Sequence, residues 1–432
     1  MDILIEPHPL SGSIEAIPSK SMAHRLLILS ALCSGITDIR LTSTSEDIDA
    51  TLRCLTAIGA SAGRTRQGLR IVPVTVRGVR KQARLDVGES GSTLRFLLPI
   101  VAALGRGAEV SGHGRLAERP LAPLDEQLEA HGATIAGVGS FPLEVSGALT
   151  AGSFELPGSV SSQFASGLLM AAPLMDGAVE VLVTEPVESR PYIDLTVSAL
   201  ATFGVDVVEG RATRDGQPYR RYVVDASASL VSPGTCVVEG DWSNAAFWLA
   251  AGALDGEPLC VSGLDARSRQ GDRSVMAALS LLGARVGRGS GIVAASRDAL
   301  HGHVIDVSAI PDLVPPLAIV AAYAAGTTRL AKAGRLRLKE SDRLATVTGA
   351  LASLGGQAQV DGDDLVVEGV ERLRGGTVDA ANDHRIAMMA AICGAYATEP
   401  TTILGADCVA KSYPHFFDDF RSLGGVAHQI ER

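Results

Sequence analysis

The sequence predicts an α/β protein of six repeated units, three to a domain, with helices at the centre and sheets outside. Three observations carry this. A helix-ending phrase, Leu-x-x-small/apolar-Gly with Phe420 for Leu in the last copy and His131 before the glycine in the second, recurs with its glycine at Gly59, Gly132, Gly204, Gly283, Gly355 and Gly424, in steps of 73, 72, 79, 72 and 69. A second series of helices, apolar nearly all round, keeps the same rhythm. Several of these end at Gly35, Gly107, Gly177, Gly256 and Gly326, in steps of 72, 70, 79 and 70. Both steps of 79 fall between the third and fourth units, which places a domain boundary near Glu239. Fixed-period self-similarity is the mark of repeat architecture, and glycine is the usual left-handed stop after a helix.

The apolar segments are Met22–Leu32, Thr93–Leu104, Phe164–Leu174, Ala245–Leu254, Leu313–Ala325 and Ile386–Tyr396. A helix apolar on every face is buried, and one with a polar stripe lies outside. Each unit therefore supplies one inner and one outer helix. Stretches with β patterning lie between them, at Leu69–Val72, Phe141–Val145, Tyr222–Val224 and Leu365–Glu368.

Length and composition set the bounds. A chain of 432 residues exceeds one ordinary core, and 46% apolar with 20% charged residues suits a soluble globular protein. A net charge of -10 argues against nucleic acid as a general partner, since a phosphate backbone needs a basic surface. The first residues, Met1–Pro7, have no basic or long apolar stretch, and no apolar run nears the roughly 20 residues of a membrane helix. A cytoplasmic location is expected. Cys33, Cys54, Cys236, Cys260, Cys393 and Cys408 are scattered and read as reduced core thiols. There is no HExxH, no clustered His/Cys set and no Walker loop, so no metal and no cofactor are expected.

The residues before each helix point to function. Ser and Asp there are ordinary N-caps. Lys and Arg are not, because a helix N-terminus carries partial positive charge. Lys20, Arg119, Arg190, Arg343, Arg385 and Lys411 are placed at helix starts by this reading. Such placement makes sense if they share an anion with free helix N–H groups and serine hydroxyls. The implied ligand is small and multiply anionic. Asp312 and Glu340 would repel it, so they read either as proton-transfer groups or as partners of Lys339 and Arg343. His384 reads equally as an orienting group or a proton carrier, and Tyr192 as a ring contact or a packing residue.

Taken together, the phrases resemble the EPSP synthases (3-phosphoshikimate 1-carboxyvinyltransferases) of the enolpyruvyl transferase family. They run in family order over the whole chain: Ser19-Lys20-Ser21 with Arg25, Gly88 to Arg95, Glu118-Arg119-Pro120 and Ser161 to Phe164. Pro191 to Asp194, Ile310-Pro311-Asp312, Lys339 to Arg343, Asn382 to Arg385 and Ala410-Lys411 complete the set. The resemblance implies an inside-out α/β barrel in each of two domains. It places residues 19–238 in one, and residues 1–18 with 239–432 in the other, with the active site in the cleft between them. It implies transfer of the enolpyruvyl group of phosphoenolpyruvate to the 5-hydroxyl of shikimate 3-phosphate, releasing phosphate, by a monomer that closes on its substrates.

The resemblance also implies roles. Asp312, Glu340 and Lys20 would be catalytic. Lys20, Ser21, Arg25, Ser161, Ser162, Gln163, Ser189, Tyr192, Asp312 and Lys339 would hold shikimate 3-phosphate. Lys20, Gly91, Arg119, Gln163, Arg343, Arg385 and Lys411 would hold phosphoenolpyruvate. Glu89 and Arg335 each stand where a common form of the family has Asn. The related enzyme acting on UDP-N-acetylglucosamine typically carries a Cys shortly before an Arg-Pro pair, and Gly112 to Pro120 contains none. A non-catalytic repeat scaffold would need the repeats but not the cations. A nucleotidyl transferase would need an ATP loop to accompany His384, and none is present.

Overall fold

The computed structural model describes residues 1–74, 82–289 and 291–430. Its contacts divide the chain into two compact units, Lys20–Val238 and Met1–Ser19 with Glu239–Arg432. Among the described residues there are twelve α-helices and six four-stranded sheets, three sheets in each unit.

The helices alternate in kind. Odd-numbered ones are the inner series: α1 (Lys20–Leu32), α3 (Gly91–Ala103), α5 (Ser162–Ala171), α7 (Trp242–Gly252), α9 (Val314–Ala321) and α11 (His384–Ala395). Even-numbered ones are the outer series: α2 (Glu46–Ala57), α4 (Leu124–Ala130), α6 (Arg190–Thr202), α8 (Val275–Leu281), α10 (Arg343–Ser353) and α12 (Phe416–Ser422). Every residue of α7, α9 and α11 is buried, as all-round apolarity demands. These three helices pack on one another, and α3 packs on α5. Small residues permit the approach: a Cβ at Gly167 of α5 would lie 2.5 Å from the Arg95 carbonyl oxygen of α3.

Each sheet repeats one plan. Ala83–Asp86 runs parallel to Ala108–Ser111, which pairs antiparallel with Leu143–Gly147, which pairs antiparallel with Ala133–Ala136. Distant segments complete three of the sheets. Asp2–Glu6 lies between Thr401–Leu404 and Val426–Ile430, Gly12–Glu15 runs parallel to Leu259–Ser262, and Thr235–Val237 runs parallel to Thr37–Arg40. The first two pairings fold the amino-terminal strands onto the carboxy-terminal unit, and the third closes a sheet within the unit of residues 20–238.

All six glycines of the first series adopt positive φ, between 81° and 107°. In the second series Gly35, Gly177 and Gly326 do so, but Gly107 and Gly256 do not. After α3 the left-handed turn falls to Gly105 instead. Two inner helices are also shorter than their apolar runs. α5 gives way to a 3-10 turn at Ala172–Leu174, where Pro173 has no N–H to continue the ladder, and Pro311–Leu313 is a 3-10 turn ahead of α9.

Six cysteines are free thiols, and no helix among the described residues is long and apolar enough to cross a membrane.

Two glycines from the two series give a test of the left-handed stop. A Cβ at Gly283, with φ at +89°, would collide with the Ala299 carbonyl oxygen, whereas a Cβ at Gly256 meets nothing within 4 Å. Gly283→Ala is expected to cost about 1–3 kcal/mol, read as a lower urea midpoint. Gly256→Ala should change stability by less than about 0.5 kcal/mol.

Candidate active site

In the unit formed by residues 1–19 and 239–432, the starts of the inner helices carry the charge. Asp241 caps α7 by accepting from the Asn244 amide, and Asp383 caps α11 by accepting from the Arg385 amide. Asp312 sits in the 3-10 turn that leads into α9. Arg343 is the first residue of α10, whose cap is Asp342.

Arg343 organises this end. Its side chain is 1% exposed. Nε donates to Asp383 Oδ2 at 2.7 Å, Nη1 to Asp312 Oδ1 at 2.8 Å, and Nη2 to Glu340 Oε2 at 2.6 Å and Asp383 Oδ1 at 3.1 Å. Burial alone would lower the guanidinium pKa, but Asp383, Glu340 and Asp312 raise it on balance. Ser341 Oγ adds a 2.9 Å bond to Asp383 Oδ2.

Asp312 takes further donors. Lys339 Nζ lies 3.2 Å from Oδ1, Arg385 Nη2 lies 3.4 Å from Oδ2, and Arg385 Nη1 donates to the Asp312 carbonyl at 3.3 Å. Burial would raise the carboxyl pKa, but Arg385, Lys339 and Arg343 outweigh it and hold Asp312 well below the usual carboxylate range. Burial also lowers the Lys339 ammonium, with Asp312 opposing. Lys411 Nζ donates to the Asn382 carbonyl at 2.7 Å. His384 is buried, with Nδ1 4.0 Å from Asp383 Oδ1.

In the unit of residues 20–238, a second cluster forms at the starts of α1, α3 and α5. Lys20, the first residue of α1, pairs with Asp47 of α2 at 2.7 Å. Gly91 opens α3, and a Cβ there would lie 2.7 Å from Arg95 Nη1 and 2.9 Å from Arg119 Nη1. Only glycine lets two guanidinium groups lie so close to the chain, and an anion bound beside them would relieve their mutual repulsion. Arg95 Nη1 donates to Gln163 Oε1 at 3.0 Å and Nη2 to the Pro120 carbonyl at 2.8 Å, while Gln163 Nε2 donates to Ser92 Oγ at 2.9 Å. Ser161 caps α5 through the Gln163 amide, and Ser162 is its first residue.

Arg25 faces inward. Its donors go to Thr196 Oγ1 at 2.7 Å, the Ser21 carbonyl at 2.6 Å, the Tyr192 carbonyl at 2.8 Å and Ser166 Oγ at 3.3 Å. Burial lowers its pKa to about 10. Arg25 thereby ties Ser21 of α1 to Tyr192 of α6. Ser189 precedes α6 with φ at 53°, a left-handed conformation that non-glycine residues adopt at a cost.

The family model for EPSP synthase (3-phosphoshikimate 1-carboxyvinyltransferase) matches residues 5–420. The chain belongs to this family. It is 40% identical to the 3-phosphoshikimate 1-carboxyvinyltransferase of Clostridium kluyveri, over 98% of this chain and 97% of the relative. It is 38% identical to that of Clostridium acetobutylicum, over 99% and 98% of the two chains. Among solved structures, an EPSP synthase from Acinetobacter baumannii aligns with a TM-score of 0.79 at 26% identity, over 99% of this chain and all of that one. The enolpyruvyl transferase NikO from Streptomyces tendae aligns at 0.78 and 19% identity, over 99% and 98%, which shows the fold alone. The α/β fold read from the sequence, with inner helices and outer sheets, is the fold of this family.

Two of the expected helix-start cations sit elsewhere. Arg119 is extended after a 3-10 turn at Gly114–Glu118, and α4 begins only at Leu124. Lys411 ends a 3-10 turn at Ala406–Lys411, and α12 begins at Phe416. Each nevertheless reaches the start of an inner helix: Arg119 Nη1 lies beside Gly91 at the start of α3, and Lys411 Nζ donates to the Asn382 carbonyl just ahead of α11. Lys20, Arg190, Arg343 and Arg385 do occupy the first turn of a helix. Arg190 turns to Asp194 at 3.5 Å and Glu209 at 3.7 Å.

Sequence reasoning assigned no role to Asp47, Arg95 or Asp272, and read Asp383 only as a cap. Asp47 stands in a first turn with Glu46 and Asp49 and reads as a helix-dipole acid. Asp383 reads as a cap, which it is. Its second task appears only when Arg343, 40 residues away, is brought beside it.

Removing one partner of a buried, bonded ion pair leaves the other charge unanswered. Asp383→Ala is therefore expected to destabilise the protein by about 3–5 kcal/mol in chemical denaturation. A loss below about 1 kcal/mol would show that water or Glu340 answers Arg343 equally well.

Proposed function

We propose that this chain transfers the enolpyruvyl group of phosphoenolpyruvate to the 5-hydroxyl of shikimate 3-phosphate and releases phosphate. Membership of the family carries the reaction, and the cation clusters at the helix starts supply groups that suit its two anionic substrates. The hydroxyl adds to C2 of phosphoenolpyruvate while C3 gains a proton; the tetrahedral intermediate then expels phosphate as C3 gives up a proton, which restores the C2–C3 double bond.

Lys20, Ser21, Arg25, Ser161, Ser162, Gln163, Ser189, Tyr192, Asp312 and Lys339 hold shikimate 3-phosphate in this reading. Gly91, Arg119, Gln163, Arg343, Arg385 and Lys411, with Lys20, hold phosphoenolpyruvate. Arg25 also steadies the first set through the Ser21 and Tyr192 carbonyls, and Arg95 supports the second through Gln163. The protein acts in the cytoplasm as a monomer of two domains, residues 19–238 and residues 1–18 with 239–432.

Asp312 is the proton acceptor, and its surroundings set the condition for that role. A carboxylate bonded by Lys339, Arg343 and Arg385 is a weak base. Anionic substrates compete for those same cations. As Lys339 and Arg385 turn toward the substrates, Asp312 regains basicity beside the hydroxyl it deprotonates. Glu340, on Arg343 Nη2, is the donor to C3. Lys20 and Lys411 stabilise the departing phosphate.

Incubation with both substrates, without added metal or nucleotide, should release phosphate and form the enolpyruvyl ether. Turnover of UDP-N-acetylglucosamine in place of shikimate 3-phosphate would overturn the assignment. Two variants separate binding from chemistry under single-turnover conditions. Arg119→Ala removes a charge-assisted bond to an anion and should weaken phosphoenolpyruvate by roughly 1.5–3 kcal/mol. Asp312→Ala should lower turnover at saturation by about 10²–10⁴-fold. Near-normal turnover in Asp312→Ala would transfer the role of base to Glu340.

A further inference from the structure

Two adjacent residues just ahead of α11 hold a backbone conformation that costs free energy. Ala381 has φ at 50° and Asn382 has φ at 55°. Among the described residues five non-glycine residues have positive φ, and no other two of them are adjacent. Such strain persists only where the surroundings impose it, and it collects at functional sites. Here hydrogen bonds impose it. The Ala380 amide donates to the Leu404 carbonyl at 3.0 Å, and Asp379 Oδ1 accepts from the Ala381 amide at 2.7 Å. The Asp383 amide donates to the Ala380 carbonyl at 2.8 Å before Asp383 caps α11.

The turn delivers one carbonyl to one cation. Lys411, 6% exposed, donates from Nζ to the Asn382 carbonyl at 2.7 Å. The two residues arrive from neighbouring strands. Gly376–Asp379 leads into the strained turn and runs parallel to Thr401–Leu404, which leads into the 3-10 turn that ends at Lys411. A carbonyl points where the dihedrals of its own residue send it, so a right-handed or extended Asn382 would aim it elsewhere. The Asn382 side chain is exposed, so packing does not account for the conformation. Asn enters the left-handed region more readily than most residues other than glycine.

We infer that Asn382 is a positioning residue for Lys411: the left-handed turn aims its carbonyl at the ammonium and so sets where Lys411 meets phosphoenolpyruvate. A neutral carbonyl anchors the ammonium without cancelling its charge, which a carboxylate at the same place would do. The strain of the turn is thus the cost of holding a long, flexible side chain in one place.

The inference rests on the proposed role of Lys411 toward phosphoenolpyruvate, so the test has an arm for each. KM for each substrate and kcat are measured on the full chain, with the urea midpoint beside them. Asn382→Val puts a β-branched residue where the left-handed conformation is least tolerated. It should raise KM for phosphoenolpyruvate roughly 10-fold while KM for shikimate 3-phosphate changes little. Asn382→Gly removes the same side chain but keeps the conformation, so its KM for phosphoenolpyruvate should stay near that of wild type. In a Lys411→Ala background, Asn382→Val should add nothing further to that KM.

An unchanged KM for phosphoenolpyruvate in Asn382→Val overturns the inference. So does an equal rise in Asn382→Gly, which would assign the effect to the side-chain amide, or a full additional rise on top of Lys411→Ala. If Asn382→Val does not fold, Asn382→Ala takes its place with the same three comparisons. If Lys411→Ala alone leaves KM for phosphoenolpyruvate unchanged, the role of Lys411 falls first and the inference falls with it.

Discussion

The carboxy-terminal site depends on one buried cation. The Arg343 guanidinium is all but inaccessible, and taking such a charge out of water costs several kcal/mol unless it is fully answered. It is answered by Asp383, Asp312 and Glu340, which belong to three different chain segments. A planar fork has fixed directions, so satisfying it fixes where those segments stand relative to one another. The helix caps, the turn ahead of α9 and the position of Lys339 then follow from a single side chain. Lysine could not replace it, because one ammonium does not present parallel donors in two directions.

The amino-terminal cluster solves the same problem with fewer acids. Lys20 has Asp47, but Arg95 and Arg25 are satisfied mainly by carbonyl and hydroxyl oxygens. Neutral acceptors keep a guanidinium in place without cancelling its charge. The field toward an anion is therefore stronger per cation there than around Arg343, where carboxylates cancel most of it. This difference suits a division of labour in which one cluster mainly binds and the other also handles protons.

Much of this was legible in the sequence because it is periodic. The six glycine-ended phrases marked the outer helices, and all-round apolarity marked α7, α9 and α11 as inner ones. The amphipathic and apolar patterns report burial, and burial dictates the layers. Local chemistry was legible where it is local: Asp342 and Asp383 as caps, Ser161 before α5. The sequence did not show which acid answers which cation, because the pairing of Arg343 with Asp383 spans 40 residues and exists only after two helix starts meet. Arg119 and Lys411 were misplaced for a related reason. A 3-10 turn followed by an extended residue has the same polar composition as a helix start, so charge alone does not separate them.

The arrangement of the inner helices explains why the chemistry collects where it does. Asp241, Asp312 and Arg385, at the starts of α7, α9 and α11, act together on Asp272. Leu254, Tyr323 and Tyr396, just beyond the ends of the same helices, line one common cavity. The three helices therefore run parallel. Parallel neighbours oppose each other's dipoles, so the packing is electrostatically unfavourable in itself and is held by apolar burial. In return, the positive ends of the three helices lie on one side, and Asp241 and Asp383 accept from first-turn amides there. Carboxylates can be buried at that point at lower cost than elsewhere in the core, which is why Asp241 and Asp383 serve as caps. Asp272 stands in the 3-10 turn beside α7 and accepts from the Ser243 hydroxyl, and burial, with Asp312 adding to it, pushes its carboxyl up to about 6.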